Sequence, residues 1–439
     1  MSEDWRTYPI RELAANAPQS FTDGDWIETL HIRETGIRLI QTGNIGIGSF
    51  IDRSRKYISQ ISFDTLHCKE IRPGDLLICR LAEPIGRACF APDLGERMIT
   101  SVDVTILRVD TESFDPYFVS FSINTPECLR QCEAVSGGTT RQRISRTNLG
   151  KVKIKAPSVG AQRRIAEILS TLDEAIEQTE ALIAKHQQIK AGLMHDLFTR
   201  GVTPDGHLRP THEQAPDLYK ESPLGWIPKE WRMMRIRDLA VVKGGKRVPA
   251  GTPFADSPTP FPYLRVTDMV DGWVDDAALE YVDSATERLI SSYKIFCDDI
   301  YVTIAGTLGQ FGRIPEHLNG AQLTENAARI TEIDQKVIDL DFLCSVLRSD
   351  LLEQQKFAGI GVGAGVPKLA LYQIERFQVP VPPLEEQRQI QPQLSCTQTN
   401  ILENCKVLMK LRQQKHGLMH DLLTGRVRVW VAETEEAST

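Results

Sequence analysis

The pentapeptide "LMHDL" occupies Leu193–Leu197 within "KAGLMHDLFTRGV" and returns at Leu418–Leu422 within "KHGLMHDLLTGRV". Each copy sets a histidine beside an aspartate, a pairing suited in principle to acid/base chemistry. Adjacent residues on a helix point in different directions, however, and no HExxH or CxxC pattern lies near His195 and Asp196. The structural reading, two equivalent helix turns, is the stronger one, and the repetition is the signal.

Laid on itself at an offset of about 225 residues, the chain matches well beyond the pentapeptide. "WRTYPIRELA" from Trp5 pairs with "WRMMRIRDLA" from Trp231, and "LIQTGNIGIGSFID" from Leu39 pairs with "YLRVTDMVDGWVDD" from Tyr263. "IRPGDLLICRLAEPIGRACFAPD" from Ile71 pairs with "IFCDDIYVTIAGTLGQFGRIPEH" from Ile295, with a one-residue shift before Gly86 and Gly309. "GGTTRQRISRTNLGKVKIKAPSVGAQRRI" from Gly137 pairs with "VGAGVPKLALYQIERFQVPVPPLEEQRQI" from Val362. A period this long is a duplicated module of domain size rather than a solenoid unit.

Each copy runs from a mixed segment to a stretch of helical periodicity. The mixed segments hold β-type runs such as "DLLICRL" and "DIYVTIAG" bounded by Gly and Pro, and read as compact β-rich domains with a few helices. In the first helical stretch Ile165, Leu169, Leu172, Ile176, Ile183, Leu193 and Leu197 recur in steps of three and four, with Thr179, His186 and Lys190 filling the remaining places. The second repeats the stripe as Ile390, Leu394, Ile401, Leu408, Leu411, Leu418 and Leu422, interrupted by Thr397, Asn404 and Lys415. A period near 3.5 sustained over several heptads marks a coiled-coil pair. A lone amphipathic helix covering its own domain is the alternative. Each stripe lasts about 35 residues, however, or about 50 Å, longer than a small domain is wide. The expected fold class is therefore α+β with a pseudo-twofold internal repeat. Its parts are a first mixed domain over 1–156, a long helix over 157–203, a linker and second mixed domain over 204–380, a long helix over 381–428, and an acidic tail over 429–439.

A chain of 439 residues exceeds what one core organises, and 41% hydrophobic with 25% charged residues is ordinary for a soluble globular protein. No run approaches a membrane span, and the start "MSEDWRTYPI" is acidic and polar, so a cytoplasmic location without membrane contact is expected. The nine cysteines are scattered, and Cys128 and Cys132 lack a second pair for zinc, so reduced buried thiols are expected. "GIGVGAG" at Gly359–Gly365 and "GGKR" at Gly244 fit neither phosphate-loop pattern, and read as flexible loops. No methyltransferase tetrapeptide, nuclease cluster or triad stands out, so the chain reads as non-catalytic, without a metal.

The net charge of −7 argues weakly against a nucleic-acid partner, yet two stretches oppose it. Between Leu129 and Lys155, Arg130, Arg141, Arg143, Arg146, Lys151, Lys153 and Lys155 face only Glu133. Between Lys229 and Arg247, Lys229, Arg232, Arg235, Arg237, Lys243, Lys246 and Arg247 face only Glu230 and Asp238. Such runs are often solvated faces, but loops of Gly, Ser, Thr and Arg also suit phosphate and base-edge contacts. Candidate DNA contacts are Arg141, Arg143, Arg146, Lys151, Lys243, Lys246, Arg247 and Lys368, with Gly137 and Gly138 letting the backbone approach a duplex.

Taken in order, the duplicated layout, "PLGWIPKEW" opening the second half, "VPVPPLEEQRQI" opening the second helix and "GLMHDLLTG" closing it resemble the specificity (S) subunit of type I restriction-modification systems. The resemblance covers nearly the whole chain. It implies two target recognition domains, each reading half of a bipartite, asymmetric site in double-stranded DNA, separated by two helices in an antiparallel coiled coil. It further implies two methyltransferase (M) subunits as partners, and restriction (R) subunits recruited through the M2S complex. No cofactor belongs to the chain itself: S-adenosylmethionine belongs to M, and ATP and Mg to R. The pattern departs from the family at "APSVGAQRRI", where the second copy has "VPPLEEQRQI", and Pro392 falls inside the second helix. The alternatives are a free-standing bipartite DNA-binding regulator and a coiled-coil scaffold without catalytic partners.

Overall fold

In the computed structural model, residues 5–81, 83–138, 141–357 and 368–430 are described. The loop "GIGVGAG" and the tail "AETEEAST" lie outside them. The chain forms two compact units: unit 1 comprises Met1–Glu180 and Lys406–Thr439, and unit 2 comprises Ala181–Cys405.

Unit 1 holds a four-stranded sheet in the order Phe21–Asp23, Val104–Leu107, Leu76–Cys79, Ala88–Phe90, all antiparallel. Its second sheet runs Ile32–Arg33, Lys56–Ile58, Ile37–Ile40, Met98–Thr100, Glu70–Ile71, with one parallel pairing between Ile37–Ile40 and Met98–Thr100. Unit 2 repeats both patterns. Its four-stranded sheet runs Val241–Gly244, Ala327–Thr331, Ile300–Thr303, Phe311–Gly312. Its mixed sheet runs Glu280–Tyr281, Pro262–Leu264, Ala321–Leu323, Lys294–Ile295, and again one pair is parallel. The inner strands Leu76–Cys79 and Ile300–Thr303 are buried at every residue, which is why they read as unbroken apolar runs rather than alternating ones. Gly24 and Gly245 stand at one equivalent place, where the chain leaves the first strand and meets a strand end of the other sheet. A Cβ on Gly24 would lie 2.3 Å from the Thr100 and Ser101 carbonyl oxygens, and one on Gly245 2.0 Å from that of Thr324. Only glycine permits that approach.

Two long helices, Val159–Thr199 and Leu384–Leu423, carry the periodic stripes, and the second is continuous through the exposed Pro392. Ile165, Leu169, Ile183, Ile390, Leu394 and Ile401 are buried, and Leu172, Ile176, Leu193, Leu408, Leu411 and Leu418 are half-buried. Thr179, His186, Lys190, Thr397, Asn404 and Lys415 are also half-buried. In unit 1, Lys415 pairs with Asp173 and Arg412 with Glu180, so numbers fall on one helix as they rise on the other. In unit 2 the same antiparallel sense holds, with Lys190 Nζ donating to Gln398 Oε1 at 2.6 Å and Leu197 sharing a core with Ile390.

The repeated pentapeptide closes cores. In unit 2, Leu197 and Phe198 are fully buried among Phe342, Ile390 and Leu394, with the Phe198 ring 5.5 Å edge-to-face from Phe342. In unit 1, Leu422 and Leu423 join Phe118, Ile165 and Leu169. Met194 and Met419 pack beside them, while His195 and His420 face solvent. Side chains of this kind stabilise by about 1.5–3 kcal/mol each when buried.

A glutamine at the start of each helix fastens it to its unit. Buried Gln162 accepts from the Asp115 N–H at 3.0 Å and donates to the Pro157 carbonyl at 2.9 Å. Buried Gln387 accepts from the Asp339 N–H at 2.7 Å and donates to the Pro382 and Val337 carbonyls. Asp115 and Asp339 in turn cap the helices that begin at Pro116 and Leu340. "AQ" and "EQ" thus do the same work despite the difference beside them. In unit 2, Glu386 adds a buried pair with Arg209 and accepts from the Trp231 Nε1–H at 3.1 Å and the Val202 N–H at 2.9 Å.

Gln387→Leu leaves one buried N–H and two carbonyls unpaired, and is expected to destabilise unit 2 by roughly 3 kcal/mol or more. Urea denaturation followed by near-UV circular dichroism measures it. A loss below about 1 kcal/mol would show that the latch is dispensable.

Candidate nucleic-acid interface

In unit 1 the chain leaves the strand Leu76–Cys79 through Arg80, which is 2% exposed. The Arg80 guanidinium donates to the Ile144 carbonyl at 3.0 Å and the Val102 carbonyl at 2.5 Å, and meets Asp23 at 3.2 Å. Burial holds its pKa below the ordinary arginine value, the Asp23 carboxylate opposing the shift. These bonds anchor the segment that carries two of the sequence-predicted arginines. Arg143 forms antiparallel bridges with Leu81 and Gly137, and its half-exposed side chain reaches Asp103 at 2.6 Å. Arg146 opens the short helix Arg146–Lys151, capped by Ser145, and lies 4.0 Å from Asp23. Arg80, Arg143 and Arg146 therefore share Asp23 and Asp103, a cluster with one more positive than negative charge. The Arg143 and Arg146 pairs are partly exposed and worth about 0–1 kcal/mol each, so those two guanidiniums stay available to a phosphate or a base edge, while buried Arg80 holds the cluster in position.

The other unit 1 candidates are placed differently. Arg141 is exposed, on the turn at Gly138, whose φ is +117°. The Arg141 carbonyl sits 2.4 Å from where a Cβ on Gly138 would be. That glycine is required by the turn itself, and only Gly137 faces open space. Lys151, at the end of its helix, lines a hollow of about 350 Å³ with Val135 and Asn148.

In unit 2, Lys368 forms an antiparallel bridge with Ala305, just past the strand Ile300–Thr303, and is exposed. This is the position that Arg143 takes beside Leu81. Arg247 pairs with Glu325 at 2.5 Å and Lys243 with Glu332 at 2.6 Å. The exposed Lys246 holds its ammonium 5.7 Å from the centre of the Tyr293 ring, and the buried Tyr263 hydroxyl donates to its carbonyl at 2.9 Å. Among the described residues, Arg141, Lys151, Lys246 and Lys368 make no ion pair, and no His, Cys, Asp and Glu group could hold a metal. All nine cysteines are free. Among the described residues no helix is long and apolar enough to cross a membrane.

Sequence reading missed Arg80, Asp23 and Asp103 in unit 1 and Glu325 and Tyr293 in unit 2. One signal was present: Arg80 is a charge that directly follows the apolar run "LLIC". A charge in such a place needs buried partners, which marks the segment that supplies them.

A profile of the type I restriction modification DNA specificity domain matches residues 3–187 and again 228–408. The chain is 22% identical over 440 residues to a putative type I restriction enzyme MjaX specificity subunit of Methanocaldococcus jannaschii, covering 97% of this chain and 94% of that one. It is 25% identical over 306 residues to the type I restriction enzyme EcoBI specificity subunit of Escherichia coli, covering 69% and 62% respectively. Among solved structures, a type I restriction-modification S subunit from M. genitalium shares the fold with a TM-score of 0.56 at 17% identity, over 96% of both chains. A chain from a type I system solved for its complex assembly and conformational transition gives 0.55 at 16%, over 96% of this chain and 98% of that one.

Replacing Arg80 with Met removes the donors to Ile144 and Val102. The Arg143 and Ile144 amides, bonded to the Gly137 and Arg80 carbonyls, are then expected to exchange with deuterium on the order of tenfold faster. Unchanged exchange there would mean that Arg80 does not support the Arg143 segment.

Proposed function

We propose a mechanism from one premise: the chain belongs to the type I restriction modification DNA specificity family. It is the DNA sequence-recognition subunit of such a system, and it contributes specificity rather than catalysis. A free-standing regulator or a bare scaffold is not favoured by that membership. In our reading, each unit is a target recognition domain that reads one half of a bipartite site. Unit 1 uses Arg143 and Arg146, with Arg141 and Lys151 on neighbouring backbone, and unit 2 uses Lys368, Lys246, Arg247 and Lys243. The observation that carries this is the equivalence of Arg143 and Lys368, two exposed cations bridged to the end of the same inner strand in two units of one topology.

The physical division of labour follows. Contacts to phosphate release counterions and supply salt-dependent affinity, while one or two side chains at base edges supply discrimination. Arginine suits guanine through paired donors to O6 and N7, and Asp103 limits the rotamers that Arg143 samples before binding. Lys368 and Lys246 are point charges on flexible stems and are better matched to phosphate.

In the assembly we infer, the long helices hold two methyltransferase subunits, through which restriction subunits join. Exposed apolar side chains on the helices support this: Leu182, Ile189 and Leu402 in unit 2, and Val407 and Met409 in unit 1. The family assigns no cofactor to this chain. S-adenosylmethionine then belongs to the methyltransferase partners, and ATP and Mg to the restriction partners.

Two measurements follow. The pure chain, incubated with S-adenosylmethionine and DNA, is expected to transfer no methyl groups, and reproducible transfer free of partner subunit would refute the assignment. In the complex with the methyltransferase subunit, Arg143→Ala is expected to cost roughly 1–3 kcal/mol of DNA affinity and to relax one position of one half-site. Lys368→Ala should act on the other half-site, either in the same way or, as a phosphate contact, evenly across sequences with a shallower salt slope. Binding to duplexes with each half-site scrambled in turn separates them. Losses from both variants that track the same half-site would sink the two-reader assignment.

A further inference from the structure

Lys190 and Lys415 occupy the same place in the two helical repeats, yet their surroundings differ by one charge. In unit 1, Lys415 faces the carboxylate of Asp173 and lies over the Phe121 ring. In unit 2, the residue opposite Lys190 is Gln398, whose Oε1 accepts one of the three ammonium protons at 2.6 Å. Among the described residues Lys190 makes no ion pair. It borders a cavity of about 500 Å³, lined also by Met194, His195, Arg348 and Gln398. Arg348 is engaged by Asp271 at 3.1 Å, and the exposed Asp350 lies at the rim. Of the two cations, Lys190 is the one with no carboxylate at ion-pair distance, Asp271 acting on it only from farther off, and a partly desolvated ammonium without a direct partner is costly. Burial, and then the charge on Arg348, hold its pKa below the ordinary lysine value, with the Asp271 carboxylate opposing them.

We propose that this cavity of unit 2 binds a phosphate group at Lys190, so that a ligand supplies the negative charge that Asp173 supplies to Lys415 in unit 1. The ammonium has donors left after Gln398, and the Gln398 amide nitrogen adds another. The phosphate is either a free ion or part of the DNA backbone, and the two sources give different readouts. The second rests on the DNA-reading role given above.

The test is thermal unfolding of the full chain in inorganic phosphate against chloride at equal ionic strength. A free-ion site gives a saturable rise in Tm of about 2–4 °C. Gln398→Asp, which installs the carboxylate that unit 1 already has, is expected to raise Tm in chloride and abolish the phosphate response, and Lys190→Met to abolish the response. A backbone phosphate gives no response to the free ion. Instead, Lys190→Met lowers the slope of log affinity for duplex DNA against log salt by roughly 0.9, one phosphate contact. A phosphate response that persists in both variants, or no response together with an unchanged salt slope, would overturn the proposal. Wild-type chain without salt-dependent DNA binding would instead overturn the DNA-reading role, and the free-ion arm would still report on the cavity.

Discussion

The architecture depends on four apolar side chains at two helix ends. Leu197 and Phe198 complete the core of unit 2, and Leu422 and Leu423 complete that of unit 1. Neither mixed domain buries its inner face with its own sheets and short helices alone. The facing wall comes from the start of one long helix, Ile165 and Leu169 in unit 1 or Ile390 and Leu394 in unit 2, and from the end of the other. The buried glutamines tie the start of each helix to its mixed domain, because their amides bond the Asp115 and Asp339 backbone N–H groups there. Packing supplies the energy and the glutamines supply the register.

On that frame the basic residues are not a loose charged surface. Arg143, Arg146, Arg247 and Lys243 each face a carboxylate, and Arg80 is held by two carbonyls from beneath. In the DNA-reading role proposed above, a guanidinium already oriented would lose less side-chain entropy on meeting its target, and a wrong base would have to compete with the carboxylate it displaces. This reconciles a net charge of −7 with a nucleic-acid partner, because the positive field is local and much of it is internally balanced.

Much of this was legible in the sequence because duplication and periodicity are carried by neighbouring residues. The two-copy layout, the β-type runs that hold the buried strands "LLIC" and "IYVT" and the long helices were all readable from local pattern. Pairings across long stretches of chain did not. Nothing near Arg143 in sequence names Asp103, and nothing near Gln387 names Asp339, because sheet order and helix docking decide them. Nor did sequence show that Gly138 is needed by its own turn, where its missing Cβ makes room for the Arg141 carbonyl. The contrast between Lys190 and Lys415 was visible only as two lysines in a stripe until the residues opposite them, Gln398 and Asp173, were known.

The division of the chain into units also bears on the order in which a ribosome can finish them. Unit 2 is contiguous, from Ala181 to Cys405, whereas unit 1 needs both the first segment and Lys406–Thr439. Domains ordinarily fold as they emerge, N-terminal first. Here the N-terminal unit is the one that must wait. Its apolar wall at Ile165 and Leu169 stays uncovered until Leu422 and Leu423 have left the exit tunnel, with all of unit 2 made in between. The first half of the nascent chain is thus the last to become complete. Over that interval its exposed core is open to aggregation and to the folding assistants that guard against it.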